Sequence, residues 1–171
     1  MVRKLMAVAA LGLALLWSAA PAAAQATRIN FTGTGQIAGL IDLGSMSFPD
    51  GQVHIRGLVQ SAVYNLGPLG NALAIIEINA NFSPPDMTGH AWGTFVLFAA
   101  DGSVSEGTWT GKRERVAPDH WISEFNEVGR CTEGPSAGAE FRAVEWVHTN
   151  TLIPGFWFSE VEGYFLLPGQ N

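Results

Sequence analysis

Charged residues interrupt apolar runs at several points of this chain, and chemistry is most readily sought there. Glu77 follows Ala74-Ile75-Ile76 and precedes Ile78, while Glu145 lies between Val144 and Trp146. Apolar surroundings disfavour the charged form of a carboxylate and raise its pKa. A general acid or base working near neutral pH needs that state. His54 and Arg56 share one strand face, and Arg142 shares another with Glu140 and Trp146. Such groups would orient a ligand or stabilise charge on it, and tryptophans could wall its pocket. The candidate site is therefore Glu77 and Glu145 as acid/base residues, with His54, Arg56, Arg142, Trp92, Trp109 and Trp146 binding the ligand. A plainer account sends Glu77 to solvent, or pairs it with Arg56 or Arg142, and leaves the aromatics to fill the core.

Other chemistries find less support. His54, His90, His120 and His148 show no spacing that puts two on one face, so no metal site is expected. Gly134-Pro135-Ser136-Ala137-Gly138 has the G-x-S-x-G spacing of serine hydrolases, but it reads as a loop between strands and no helix pattern follows it, as a nucleophile elbow requires. Gly33-Thr34-Gly35 opens like a dinucleotide fingerprint, but no helix pattern follows to hold a phosphate. No cofactor is called for. Cys131 is the one cysteine, which excludes an intramolecular disulfide. It reads as a small buried apolar residue, with a bond between chains as the alternative.

Charge narrows the partners. The chain carries 9 Lys+Arg against 15 Asp+Glu, and Arg3 and Lys4 fall in a leader. Phosphate backbones and anionic membrane surfaces are repelled by the acidic remainder, so no nucleic acid is expected as partner. The leader is an apolar run from Leu5 to Trp17 followed by Ser18-Ala19-Ala20-Pro21-Ala22-Ala23-Ala24-Gln25-Ala26. Small residues at 22, 24 and 26 fit a signal-peptidase site. The run is shorter than the ~20 residues of a spanning helix. Residues 1–26 therefore read as a cleavable signal peptide and 27–171 as a single domain, secreted or periplasmic. No second apolar run is long enough to span a bilayer.

The domain must position its candidate residues on strands. Alternation marks Arg28–Ile37 and Gln52–Tyr64, with a turn at Pro49-Asp50-Gly51. Leu73–Phe82 is apolar on both faces apart from Glu77, Asn79 and Asn81, as a doubly covered strand would be. Ala91–Ala99 and Ser103–Arg113 flank Asp101-Gly102, the signature of a two-residue hairpin turn. His120–Val128, Ala139–His148 and Phe156–Leu167 complete the set. The class is all-β, about eight or nine strands. Glycines inside strands mark bulges and bends, and a tightly curled sheet needs bends. A single small antiparallel β-barrel is expected, with a β-sandwich as the alternative. Along Gln52–Tyr64 the alternation puts Val53, Ile55, Val59 and Val63 on one face. His54, Arg56, Leu58, Gln60 and Tyr64 take the other.

The segments Gly89-His90-Ala91-Trp92-Gly93-Thr94-Phe95, Glu106-Gly107-Thr108-Trp109-Thr110-Gly111 and Gly51-Gln52-Val53-His54-Ile55-Arg56-Gly57 resemble a pattern in uncharacterised exported bacterial all-β proteins. The resemblance covers roughly Val53 to Gly134. More remotely, the layout is similar to the small barrels of allene oxide cyclase and dirigent proteins. That likeness implies an apolar small molecule held in the lumen and cyclisation or isomerisation without a cofactor. The expectation is an exported barrel that binds an apolar or amphipathic small molecule. The alternative is a structural or protein-interaction domain of the cell envelope.

Overall fold

The computed structural model describes residues 26–150 and 157–169. The segment expected to direct export therefore lies outside the described residues, apart from Ala26. Nine strands follow one another: β1 (Thr27–Asp42), β2 (Ser45–Ser47), β3 (Val53–Asn65), β4 (Asn71–Ser83), β5 (Thr88–Ala99), β6 (Val104–Ala117), β7 (His120–Glu133), β8 (Glu140–Asn150) and β9 (Trp157–Leu167). Each pairs antiparallel with its sequence neighbour from β3 to β9. β1 pairs with β9 on one side and β3 on the other. That double pairing closes eight strands into a barrel. The short β2 continues along β3, opposite Arg56–His54, where β1 has left off. The fold is the expected all-β barrel rather than the sandwich. Among the described residues, no helix is long and apolar enough to cross a membrane.

An eight-stranded barrel has room inside for side chains or for one small ligand. Here the inner face is built from a repeated cross-strand pair, an aromatic ring opposite a glycine. The pairs are Tyr64 with Gly35, Phe31 with Gly163, Trp109 with Gly93, Phe95 with Gly107, Phe125 with Gly111 and Phe141 with Gly129. The glycine bends its strand and leaves space, and the neighbouring ring covers the gap. Gly93 shows how tight this is. A Cβ there would collide with the Glu77 carbonyl oxygen and come within 2.9 Å of Trp109 Nε1.

One end of the barrel is filled. Phe31 stacks on Phe141 at 5.7 Å, and Phe165 sits 5.0 Å from Phe141. Phe95 meets the same ring edge-on at 5.6 Å. Cys131 is buried near this end with its thiol donating to the Glu133 carbonyl at 3.3 Å. It behaves as the small core residue expected of it.

Two local features depart from the sequence reading. The β5–β6 connection is a three-residue loop. Gly102 N–H donates to the Ala99 carbonyl at 3.0 Å and Ala99 N–H to the Ser103 carbonyl at 2.9 Å. Gly102 has φ +86°. This is a tight turn closed by a left-handed residue, the usual three-residue alternative to the two-residue hairpin. Asp101 accepts from the Ser103 amide at 2.8 Å and fixes it.

The second departure reverses faces. Ile55 pairs with Ala80, yet Leu58 pairs with Ile78, so β3 carries one residue more than β4 over that stretch. The bulge is at Gly57, with φ +64°, and its amide donates to Asn79 Oδ1 at 3.1 Å. A bulge shifts the alternation by one residue. Val53 and Ile55 therefore point inward before it, and Leu58, Gln60 and Tyr64 after it. The uniform alternation read from sequence over Gln52–Tyr64 is broken at this glycine.

Candidate functional site: the barrel lumen

A cavity of about 230 Å³ lies inside the barrel. It runs from Ile55, Arg113, Thr149 and Trp157 towards the phenylalanine cluster at the filled end. Most of its wall is apolar or aromatic, with Phe82, Phe95, Trp109 and Phe125 contributing rings. Its polar groups are few: Gln60, Tyr64, Arg113, Ser123, Glu127, Glu145 and Thr149.

The acidic residues form one unit. Glu145 is 3 % exposed, and Tyr64 Oη donates to its Oε1 at 2.9 Å. Glu127 hydrogen-bonds the same carboxyl group. Glu127 keeps some accessible surface where it lines the cavity, but the barrel wall surrounds it. Burial pushes its carboxyl well above the usual carboxylate range, and the Glu145 charge and the hydrogen bond to Glu145 push further. Burial raises Glu145 too, while the nearby Ser159 hydroxyl and hydrogen bonds from Tyr64 and Glu127 pull it back. Burial, then the charge of Glu145, also holds the Tyr64 phenol well above its ordinary value. Two carboxyl groups so close cannot both ionise in an apolar lumen. Glu127 is held the higher of the two, so it is the later to lose its proton and the donor within the pair.

Arg113 is the lumenal cation. Its Nη2 donates to Thr149 Oγ1 at 3.2 Å. The guanidinium lies 5.2 Å from the Phe82 ring and 5.1 Å from the Trp121 ring. The β4–β5 loop folds over this part of the barrel. Trp121 Nε1 donates to the Asp86 carbonyl at 2.6 Å, and Arg115 pairs with the Asp86 carboxylate at 2.7 Å.

The expected site residues divide between the two faces. Glu145 and Trp109 line the lumen. Glu77 does not: Ile76 and Ile78 point inward, so Glu77 is turned to the outer face and accepts from Asn79 Nδ2 at 3.2 Å. His54 and Arg56 precede the bulge and are also outside. Arg56 is tied down by the Ile55 and Ala80 carbonyls and by Asn81 Oδ1, at 2.6, 2.8 and 2.7 Å. Trp92 stacks on His90 at 5.6 Å on the same outer face, with Arg56 over its ring at 5.1 Å. Arg142 is exposed. Trp146 donates to Glu124 Oε2 at 3.3 Å outside the barrel. Adjacent residues on a strand face opposite ways, so an inward Glu145 excludes Trp146 and Arg142 from the lumen.

Tyr64, Arg113 and Glu127 were missed, and strand parity could have found two of them. Arg113 shares its face with Trp109, and Glu127 shares its face with Phe125 and the apolar residues beyond. Among the described residues, no three His, Cys, Asp or Glu side chains gather as a metal site would require. No family model matches this chain, and no curated protein or solved structure does either.

Proposed function

We propose that this is an exported barrel whose lumen binds a small apolar or amphipathic molecule. One observation carries the reading: an apolar, aromatic-walled cavity inside the closed barrel with its polar groups confined to a few positions. An apolar cavity of ~150 Å³ takes up benzene, so a void of this size suits a guest of about ten non-hydrogen atoms. Export rests on the apolar segment and small-residue site of residues 1–26. Cleavage after Ala26 would leave Thr27, the first residue of β1, as the new N-terminus. The resemblance to exported bacterial β-proteins and to cyclase-like barrels points the same way.

The test is to fill the void. Ala74 is 2 % exposed and lines the cavity. Ala74→Phe should abolish tryptophan-fluorescence changes on adding small apolar compounds, while the folded circular-dichroism signal persists. Undiminished binding by a folded Ala74→Phe protein would place the ligand elsewhere.

A second reading rests on the Glu127–Glu145 pair. One acid that holds its proton beside a carboxylate can give and take protons on a bound molecule. Isomerisation or cyclisation would then proceed without a cofactor. Glu145→Gln should keep binding and lose turnover.

A further inference from the structure

Arg113 is a half-buried cation without a carboxylate partner. Its Nε is enclosed and has no hydrogen-bond partner. Every acidic side chain of the sequence lies within the described residues, and none of them pairs with Arg113. Residues 151–156, which follow β8, are Thr-Leu-Ile-Pro-Gly-Phe and add no acid. The carboxyl pair is not a substitute. Glu127 is opposite Trp109 across β6–β7, four residues from Arg113, or about 13 Å along the strand. A guanidinium set partly into an apolar chamber, with an enclosed donor unspent, is stabilised when an anion answers it.

We propose that the ligand is a small amphipathic monocarboxylate, its carboxylate held by Arg113 and its apolar body lying along the Phe82–Phe125 wall. This rests on the lumen being the binding site. The geometry favours one negative charge. A single cation lines the cavity among the described residues, and the acidic Glu127–Glu145 pair deeper inside offers no partner for a second negative group. The planar fork of arginine suits a carboxylate, and Thr149 steadies one of its nitrogens. The unpaired indole N–H of Trp109, also buried, is a second donor left for a polar group further along the guest.

The experiment compares matched pairs on the whole purified protein. Octanoate is set against octan-1-ol and trans-cinnamate against cinnamyl alcohol, by titration calorimetry at neutral pH. The acids should bind at least about tenfold more tightly than their alcohols, as a charge-assisted contact requires. Arg113→Gln should equalise acid and alcohol, and Arg113→Lys should retain part of the preference. Equal binding of acids and alcohols by the wild type overturns the carboxylate assignment and leaves the lumenal site standing. Preference unchanged in both variants also overturns it. No binding of either class overturns this inference together with the reading beneath it.

Discussion

Tyr64 on β3 and Glu145 on β8, 81 residues apart in sequence, meet inside the barrel at 2.9 Å. The contact joins opposite parts of the sheet across the lumen. It also lowers the Glu145 pKa against the effect of burial, because a phenol donating to a carboxylate favours the ionised form. Removing the hydroxyl should raise the Glu145 pKa and narrow the difference from Glu127. Tyr64→Phe is expected to cost about 1–3 kcal/mol, the range for a lost hydrogen bond to a charged group. Urea denaturation measures the cost, and infrared spectroscopy of the carboxyl C=O stretch follows the proton. A Tyr64→Phe protein with an unchanged carboxyl titration would show that the phenol does not hold Glu145 ionised.

The acid pair sets a pH dependence of known sign. A carboxyl in the unfolded chain titrates near 4.5, whereas folded Glu127 holds its proton well above that. Below the unfolded value both states are protonated, and this contribution to stability is complete. As pH rises, the unfolded chain ionises first and the folded state falls behind. Stability from this source is then lost up to the raised folded value. Glu145 adds to it with the same sign. Melting temperature should therefore fall between mildly acidic and neutral pH, and Glu127→Gln should flatten the fall. Equal slopes in the two proteins would remove Glu127 as the cause.

The bulge at Gly57 offers two separable tests. Gly57→Ala meets no neighbour within 4 Å, so its penalty is the left-handed backbone alone, about 1–2 kcal/mol. Asn79→Ala frees the Gly57 amide and should cost about 1 kcal/mol. Gly93→Ala, by contrast, drives a methyl into backbone and should fail to give a folded barrel. Chemical denaturation of the three variants ranks them. A ranking with Gly57→Ala worst would contradict this division between strain and collision.

Much of the architecture was legible because strand periodicity is local. The eight barrel strands stand where alternation and turn residues put them, with ends shifted by a few residues. The internal glycines announced a curled sheet for a physical reason that pairing supplied: six of the inward rings lie opposite a bare glycine backbone. The lumen was less legible. Glu145 and Trp109 were found, but Glu77 was chosen for its apolar neighbours, and in a strand the immediate neighbours are on the other face. His54 and Arg56 were lost to a single bulge that no local pattern located. Glu127 escaped notice because Asn126 and Val128 around it are unremarkable, and its importance comes from Glu145, which only tertiary closure brings near.

The double pairing of β1 has a consequence for when the barrel can exist. Its first strand is matched rung by rung with its last, from Thr27 opposite Leu167 to Gln36 opposite Phe158. Seven hairpin-like neighbours can zip together as they emerge, but the seam joins residues more than a hundred positions apart. Such distant pairing makes folding slow compared with local zipping. Until the final strand is synthesised, the sheet remains an open ribbon with two bare edges and Glu145 in water. Closure, desolvation of the acid pair and formation of the chamber are then a single late event.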